Sequence, residues 1–421
     1  MNPEYSRIIQ NWRVENFGTA PLEIIDGDRG RNYPKNNEFT TDGYCLFLTA
    51  NNVTSNGFSF NNNLFISQEK DEKLRQGRVV RGDIILTTRG TLGNVGFYSN
   101  SIIYEHLRIN SGMVIVRVDK KQFVPEFVYY YLRSPGFNKQ VNSLKSGAAQ
   151  PQLPVRDIKR ITIPIPPIDT QRRIASILSA YDDLIENNNR RIALLEESMR
   201  LLYREWFVRL HFPGHEHVRV VDGLPEGWEK TTIDQAFTIL GGGTPSKGVQ
   251  AYWQDGKINW FTPTDLTKAQ AMFAEESISK ITADGLANSS AKMFPPYSIM
   301  MTSRATIGAI AINTTEACTN QGFIACLPTE RIPLYFLFYW LKDHVDVFIS
   351  HATGATFKEI TKGIFRQLPI ILPDQGTLLK YEETVKPMSE CVLNLQRQNK
   401  RLSEARDMLL PRLMSGEIDV S

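Results

Sequence analysis

From Gln171 to Arg209 the chain runs without a glycine or proline, and its apolar residues return at heptad spacing. Ile174, Tyr181, Leu195 and Leu202 share one position of the repeat, while Ile177, Leu184 and Trp206 lie on or beside the other. The pattern predicts a helix about 60 Å long at ~1.5 Å per residue. A second stripe follows near the carboxyl end, with Leu378, Val385 and Val392 on one seam and Met388, Leu395, Leu402 and Leu409 on the other. Narrow apolar stripes need a partner helix. The chain supplies two, so antiparallel pairing of one with the other is expected. Asn188 falls in the first seam and Asn399 in the second; each either fixes register from inside or turns to the edge. Pro387 either kinks the second helix or marks its start.

Ahead of each stripe the same sequence textures appear in the same order. Ile84–Gly93 (IILTTRGTLG) returns as Ile299–Gly308 (IMMTSRATIG), Trp12 as Trp228, Asn110 as Asn320, and Gly147 as Gly354. The separation drifts from 216 residues to 207, as small loop insertions between duplicated domains would leave it. A period this long means two whole domains rather than a solenoid. Each copy starts with short apolar runs, Cys45–Leu48 or Ile258–Phe261, and continues through a β-branched repeat over residues 81–98 or 296–312. An aromatic helix follows, opened by Pro125 or Pro333 in its first turn. A proline-punctuated strand closes the copy, at 161–167 or 368–373. The fold class is therefore α+β: two similar domains of mixed strands and helices, separated by two long helices forming an antiparallel coiled coil. Two such modules in one chain suit a target with two separated parts.

Composition narrows the chemistry. A net charge of +3 permits an anionic partner without requiring one. Cys45, Cys318, Cys326 and Cys391 are scattered, so neither a disulfide framework nor a cysteine zinc site is expected, and a reducing cytoplasm fits. No run approaches the ~18 apolar residues of a membrane helix, and no signal segment opens the chain. Gly241–Gly248 (GGGTPSKG) lacks the spacing of a phosphate loop and reads as an irregular loop or a phosphate contact. Asn2-Pro3-Glu4-Tyr5 only faintly resembles an amino-methyltransferase motif, and the glutamate breaks it. Pro373-Asp374 has no downstream acid-x-Lys partner for a nuclease site, and His215 and His217 are two linker histidines. No catalytic group, metal site or cofactor is expected in this chain.

Nucleic-acid chemistry is better represented. Arg89 and Arg304 each end a β-branched run, where a guanidinium can fork onto phosphate or guanine, or brace its own turn. Their presence in both copies favours bracing or phosphate contact, since two modules reading different sequences would not share a base reader. The turns Asn110-Ser111-Gly112 and Asn320-Gln321-Gly322 are likewise shared, and serve the fold or backbone contacts. Segments that differ, Asp28–Tyr33 against Thr244–Lys247, are where base discrimination is expected. The candidate DNA-binding residues are Arg29, Arg31, Lys35, Arg89, Asn110, Thr244, Ser246, Lys247, Arg304, Asn320, Gln321 and Lys358, with Lys257 a further plausible contact.

Five motifs in order resemble the specificity subunit of type I DNA restriction-modification systems. They are Gly82–Gly90, the Ile165–Gln171 entry into the first helix, Leu224–Trp228, Thr319–Phe323 and the Leu409–Ile418 terminus. The likeness spans essentially the whole chain; the second copy departs at Pro373–Leu378, where the expected glutamine is displaced. The resemblance implies target-recognition domains at 1–167 and 224–376, long helices at 168–211 and 377–421, and a linker at 212–223. Each domain would read one half of a bipartite site in double-stranded DNA, with the helices setting the spacer. Two methylation subunits would dock and methylate adenine at N6, and restriction subunits would complete the complex. Two other readings are a scaffold of duplicated protein-binding modules and a fused enzyme carrying its own catalysis, against which the missing motifs argue.

Overall fold

A computed structural model describes residues 12–55, 57–147, 151–354 and 358–420. Asn2–Tyr5 lies outside them. The chain divides into two compact units, one running to Glu186 and resuming at Asn399, the other spanning Asn187–Gln398.

In the first unit, Leu22–Asp26, Met113–Val118, Ile84–Thr87 and Val95–Phe97 form an antiparallel sheet in that order. Cys45–Leu48 and Leu107–Ile109 pair in parallel in a second sheet, flanked by Phe65–Ile66 and Arg78–Val79. Successive side chains on a strand point to opposite faces, and both faces here are covered. Ile84, Leu86, Val114 and Val116 enter a core shared with the helices, whereas Ile85, Met113 and Ile115 enter a core shared with the second sheet. Two-sided burial explains why these strands read as unbroken apolar runs.

The second unit repeats this with other residues. Thr238–Gly241, Phe323–Leu327, Ile299–Thr302, Ile310–Asn313 and Phe273–Ala274 make the main sheet. Ile299, Met301, Ile324 and Cys326 face the helical core; Met300, Phe323 and Ala325 face the other side. Ile258–Phe261 pairs in parallel with Ala317–Thr319, as its counterpart does. A short strand pair closes each module: Arg13–Asn16 against Thr162–Ile165, and Glu229–Thr232 against Pro369–Leu372. The aromatic helices are Pro125–Arg133 and Leu334–Asp343; Pro333 occupies the N-cap rather than the first turn.

The long helices are Ile168–Tyr203, continued by a π-helical turn at Arg204–Val208, and Gln375–Met414. At 1.5 Å per residue they are about 54 and 60 Å long. The second starts well before Pro387 and carries on through it, so that proline does not mark the start. Asp374 caps it instead, accepting from the Thr377 N–H at 3.0 Å. Leu184, expected on or beside the seam, is 51% exposed and so lies beside it, while Leu178 and Met199 are buried. The inward face follows the true 3.6-residue turn and drifts off a strict heptad. Asn188 is buried, which rules out the edge position for it, and Asn399 is half-buried.

Within the first unit, Asp182 of one long helix accepts from Tyr130 Oη at 2.8 Å, from Arg133 at 3.1 Å, and from Arg406 of the other long helix. Within the second, Tyr381 Oη donates to the Met199 carbonyl at 3.3 Å and Ser389 Oγ to Met199 Sδ at 3.1 Å. Each aromatic helix is also capped by a long-helix side chain. Buried Gln171 accepts from Val124 N at 2.9 Å and donates to the Pro166 and Gln122 carbonyls. Glu382 accepts from the N–H groups of Tyr335 and Phe336 at 2.7 and 2.9 Å.

Burial pushes the Glu382 carboxyl up to about 7 against those two donors and nearby Lys386. The folded chain thus holds a proton that the unfolded chain releases near 4.5. Stability is lost as pH rises through that interval and is flat above it. Glu382→Gln keeps the acceptor oxygen without the charge. It is expected to be more stable than the parent at pH 8 by on the order of 3 kcal/mol, with the gap closing toward pH 4.5. Thermal unfolding at the two pH values measures this, and a less stable variant at pH 8 would contradict it.

Candidate nucleic-acid interface

The duplicated segments build the same backbone apparatus in both modules, at one end of the central strands. Asn94 N donates to Thr87 Oγ1 at 2.9 Å, and Ala309 N to Thr302 Oγ1 at the same distance, closing the hairpin turn. The next residue reaches to the asparagine turn: Thr88 N to Gly112 O at 2.8 Å, Ser303 N to Gly322 O at 2.8 Å. Asn110 and Asn320 each accept from the glycine two residues on at 2.9 Å. Their own N–H groups reach the neighbouring parallel strand, at Leu48 O and Phe261 O, both at 3.0 Å. These two asparagines therefore serve the turn.

Arg89 and Arg304 follow this lock, bridged to Gln152 and Glu359 respectively. The residue after each is left-handed: Gly90 at φ 73° and Ala305 at φ 63°, a conformation that costs alanine about 1 kcal/mol. The Arg304 guanidinium lies 3.8 Å from Glu359, half-exposed, whereas Arg89 is exposed and has no side-chain partner among the described residues. Among the described residues, bracing therefore accounts for part of Arg304 and for none of the Arg89 side chain.

A loop is laid flat on each asparagine turn. A Cβ on Gly27 would stand 2.3 Å from the Asn110 carbonyl oxygen, and one on Gly242 only 1.9 Å from that of Asn320, so both need glycine. In the first module the loop is pinned by Asp28, which accepts from Gly30 N at 2.6 Å and Arg75 N at 2.7 Å. Burial pushes the Asp28 carboxyl up, but these N–H groups, that of Gln76 and the Arg108 charge outweigh it, so it stays below its ordinary value. Arg29 is then held by Asp26 at 3.1 Å and by the Ser111 carbonyl at 3.3 Å, while Arg31 and Lys35 point out exposed. In the second module Gly243 N donates to Thr319 O at 2.9 Å, and Trp260 Nε1 donates to Gly243 O at 2.8 Å. Thr244 Oγ1 donates to Gln321 Oε1 at 2.5 Å, and the Ser246 carbonyl accepts from Trp253 Nε1.

Pro263, Arg304, Ala305, Asn320, Gln321 and Gly322 line an open depression of about 310 Å³. Lys358 is exposed beside it, its carbonyl accepting from Ala305 N at 3.0 Å. Lys247 and Lys257 are exposed on their own loops. The structure also brings in Lys362, whose ammonium lies against Gly241: a Cβ there would meet Nζ at 2.3 Å. Nothing in the sequence signals it, because the first module carries Val155 at the start of the corresponding helix. His215 is spent on the Phe212 carbonyl at 2.8 Å, and the described residues hold no cluster of three metal-ligating side chains. Among them no helix is long and apolar enough to cross a membrane.

Comparison with known proteins gives one consistent result. Residues 22–197 and 225–382 each match the model of the type I restriction modification DNA specificity domain. The chain is 26% identical over 349 residues to the MjaIX type I restriction enzyme specificity subunit of Methanocaldococcus jannaschii, covering 81% of this chain and 78% of that one. It is 24% identical over 459 residues to the HindI specificity subunit of Haemophilus influenzae, covering 93% and 98%. A crystal structure of the type I restriction-modification S subunit from M. genitalium has a similar fold, with a TM-score of 0.56 at 14% identity over 98% of this chain and 97% of that one.

Proposed function

The chain belongs to the type I restriction-modification DNA specificity family, and from that premise we propose that it is the DNA-recognition subunit of such a complex. One observation carries the reading: the bonds that join the hairpin turn, the asparagine turn and the neighbouring parallel strand recur in the two modules, while the loop side chains laid on them differ. Repeated backbone with unlike side chains is what reading two different half-sites by one geometry requires. Each domain, 1–167 and 224–376, reads one half of a bipartite site in double-stranded DNA. Arg89, Arg304, Lys358 and Lys362 contact phosphates, and the loops at 28–35 and 244–247 face base edges.

The helices at 168–211 and 377–421 form an antiparallel coiled coil that sets the spacer, with 212–223 as linker. Two contacts support that pairing. Asp182 meets Arg406 in one unit and Met199 meets Ser389 in the other. The same number of residues separates Asp182 from Met199 as separates Ser389 from Arg406, so one register serves both pairs.

The subunit acts in the cytoplasm and performs no chemistry. Two methylation subunits carrying S-adenosylmethionine dock on it and flip an adenine from each half-site for methylation at N6; restriction subunits add cleavage. The reading of these modules as protein-binding scaffolds is not favoured, since the relatives matched along most of the chain are specificity subunits. Exchanging the region before Pro166 for that of a relative, and mapping methylated adenines in a host with the methylation subunits, tests the proposal. One half-site should change and the other stay; alteration of both would refute independent modules.

A further inference from the structure

At one place the two modules share a backbone but not its chemistry. Gly242 and Gly243 press the loop onto the asparagine turn, and this delivers Thr244 to Gln321. The same descent in the first module, from Gly27 through Asp28, delivers Arg29 to Ser111. The middle residue of the shared turn is thus Ser111 in one copy, whose main-chain carbonyl accepts from a guanidinium, and Gln321 in the other, whose side-chain amide accepts from a hydroxyl. The asparagine, the following glycine, the strand-end arginine and its backbone bridge are duplicated around the pair. A residue needed only for the fold would have no reason to differ here.

We infer that Gln321, held by Thr244, reads a base of the second half-site, and that the base is adenine. This rests on the DNA-recognition reading above. Gln321 is exposed and lines the 310 Å³ depression beside Arg304, so its amide reaches outward next to a cation suited to phosphate. A free glutamine amide rotates and presents donor and acceptor in any order. The Thr244 hydroxyl, 2.5 Å from Oε1, occupies one lone pair and fixes the amide plane. The other lone pair and the Nε2 hydrogens remain. An acceptor beside a donor on one rigid plane matches adenine in the major groove, whose N6 amino group donates and whose N7 accepts. Thr244 is a positioning residue, because it acts through the amide.

The test uses the full chain assembled with its methylation subunits, acting on a library in which the second half-site is randomised. Gln321→Ala should lower discrimination at a single adenine position by about 10-fold, with the first half-site unchanged as internal control. Thr244→Val, which removes the hydroxyl at nearly constant shape, should relax the same position by a smaller factor. Gln321→Glu, an acceptor without a donor, should redirect that position toward cytosine, a change only a folded module can make. Variants with parental melting temperatures and an unchanged base preference would overturn the assignment. So would a uniform loss over all sequences, which would make Gln321 a backbone contact while leaving the recognition reading intact. A parental complex indifferent to the second half-site would instead overturn the recognition reading, and this assignment with it.

Discussion

Asp71→Ala is expected to destabilise the first module sharply and leave the second as stable as before. Asp71 and Arg108 are 2% and 3% exposed and ion-paired, with Arg78 on the second carboxylate oxygen. Arg108 also donates to the carbonyls of Asp71 at 2.6 Å, Gln76 at 2.7 Å and Leu74 at 3.1 Å. Removing the carboxylate strands a guanidinium in the interior, a cost of about 3–5 kcal/mol, against a total stability of roughly 5–15 kcal/mol for a domain. The tryptophans separate the two outcomes: Trp12 belongs to the first unit and the other five to the second. Urea unfolding followed by circular dichroism should show an early transition that tryptophan fluorescence barely registers. Coincident transitions at the parental midpoint would refute the prediction. Replacing Asp71 and Arg108 together by apolar residues should restore most of the loss, because no orphaned charge remains.

Lengthening both long helices should lengthen the recognised spacer. Four residues inserted after Arg191 and four after Gln396, at facing positions in the proposed register, add one turn, about 6 Å, and rotate the apolar stripe by only about 40°. At ~3.4 Å per base pair, the preferred spacer should grow by one to two base pairs while both half-sites keep their sequence. Two-residue insertions rotate the stripe by about 200° and should abolish assembly. Methylation across a library of spacer lengths, with the methylation subunits present, is the readout. An active four-residue variant that kept the parental spacer would sink the ruler and leave the helices as docking surface.

The repeat in the sequence foretold most of the architecture, because strands buried on two faces print themselves as unbroken apolar runs. Ile84–Thr87 and Ile299–Thr302 are such runs. Interactions that depend on distant partners were not legible. Thr244 and Gln321 lie 77 residues apart, and the fit of Gly242 against the Asn320 carbonyl, with the bonds to Gly243, brings them together. Lys362 reaches Gly241 across a still longer separation. Leu184 lies beside the seam rather than on it because the heptad is an approximation to the helix, and Pro387 does not start the second helix because a proline's lost hydrogen bond does not by itself end a helix held by tertiary packing.

Much of the strand-end apparatus hangs on main-chain atoms, Gly243 N to Thr319 O and Thr88 N to Gly112 O among them, with the Thr87, Thr302, Asn110 and Asn320 side chains supplying the other acceptors. Main-chain bonds are indifferent to which side chain a residue carries. Outside the glycines and the Asp28 that pins its loop, a lineage can therefore replace exposed residues such as Arg31, Lys35, Ser246 or Lys247 one at a time without the scaffold coming apart. Preference for a target can wander while the scaffold is inherited nearly intact, which is the freedom a host needs when the invading DNA it must tell from its own keeps changing.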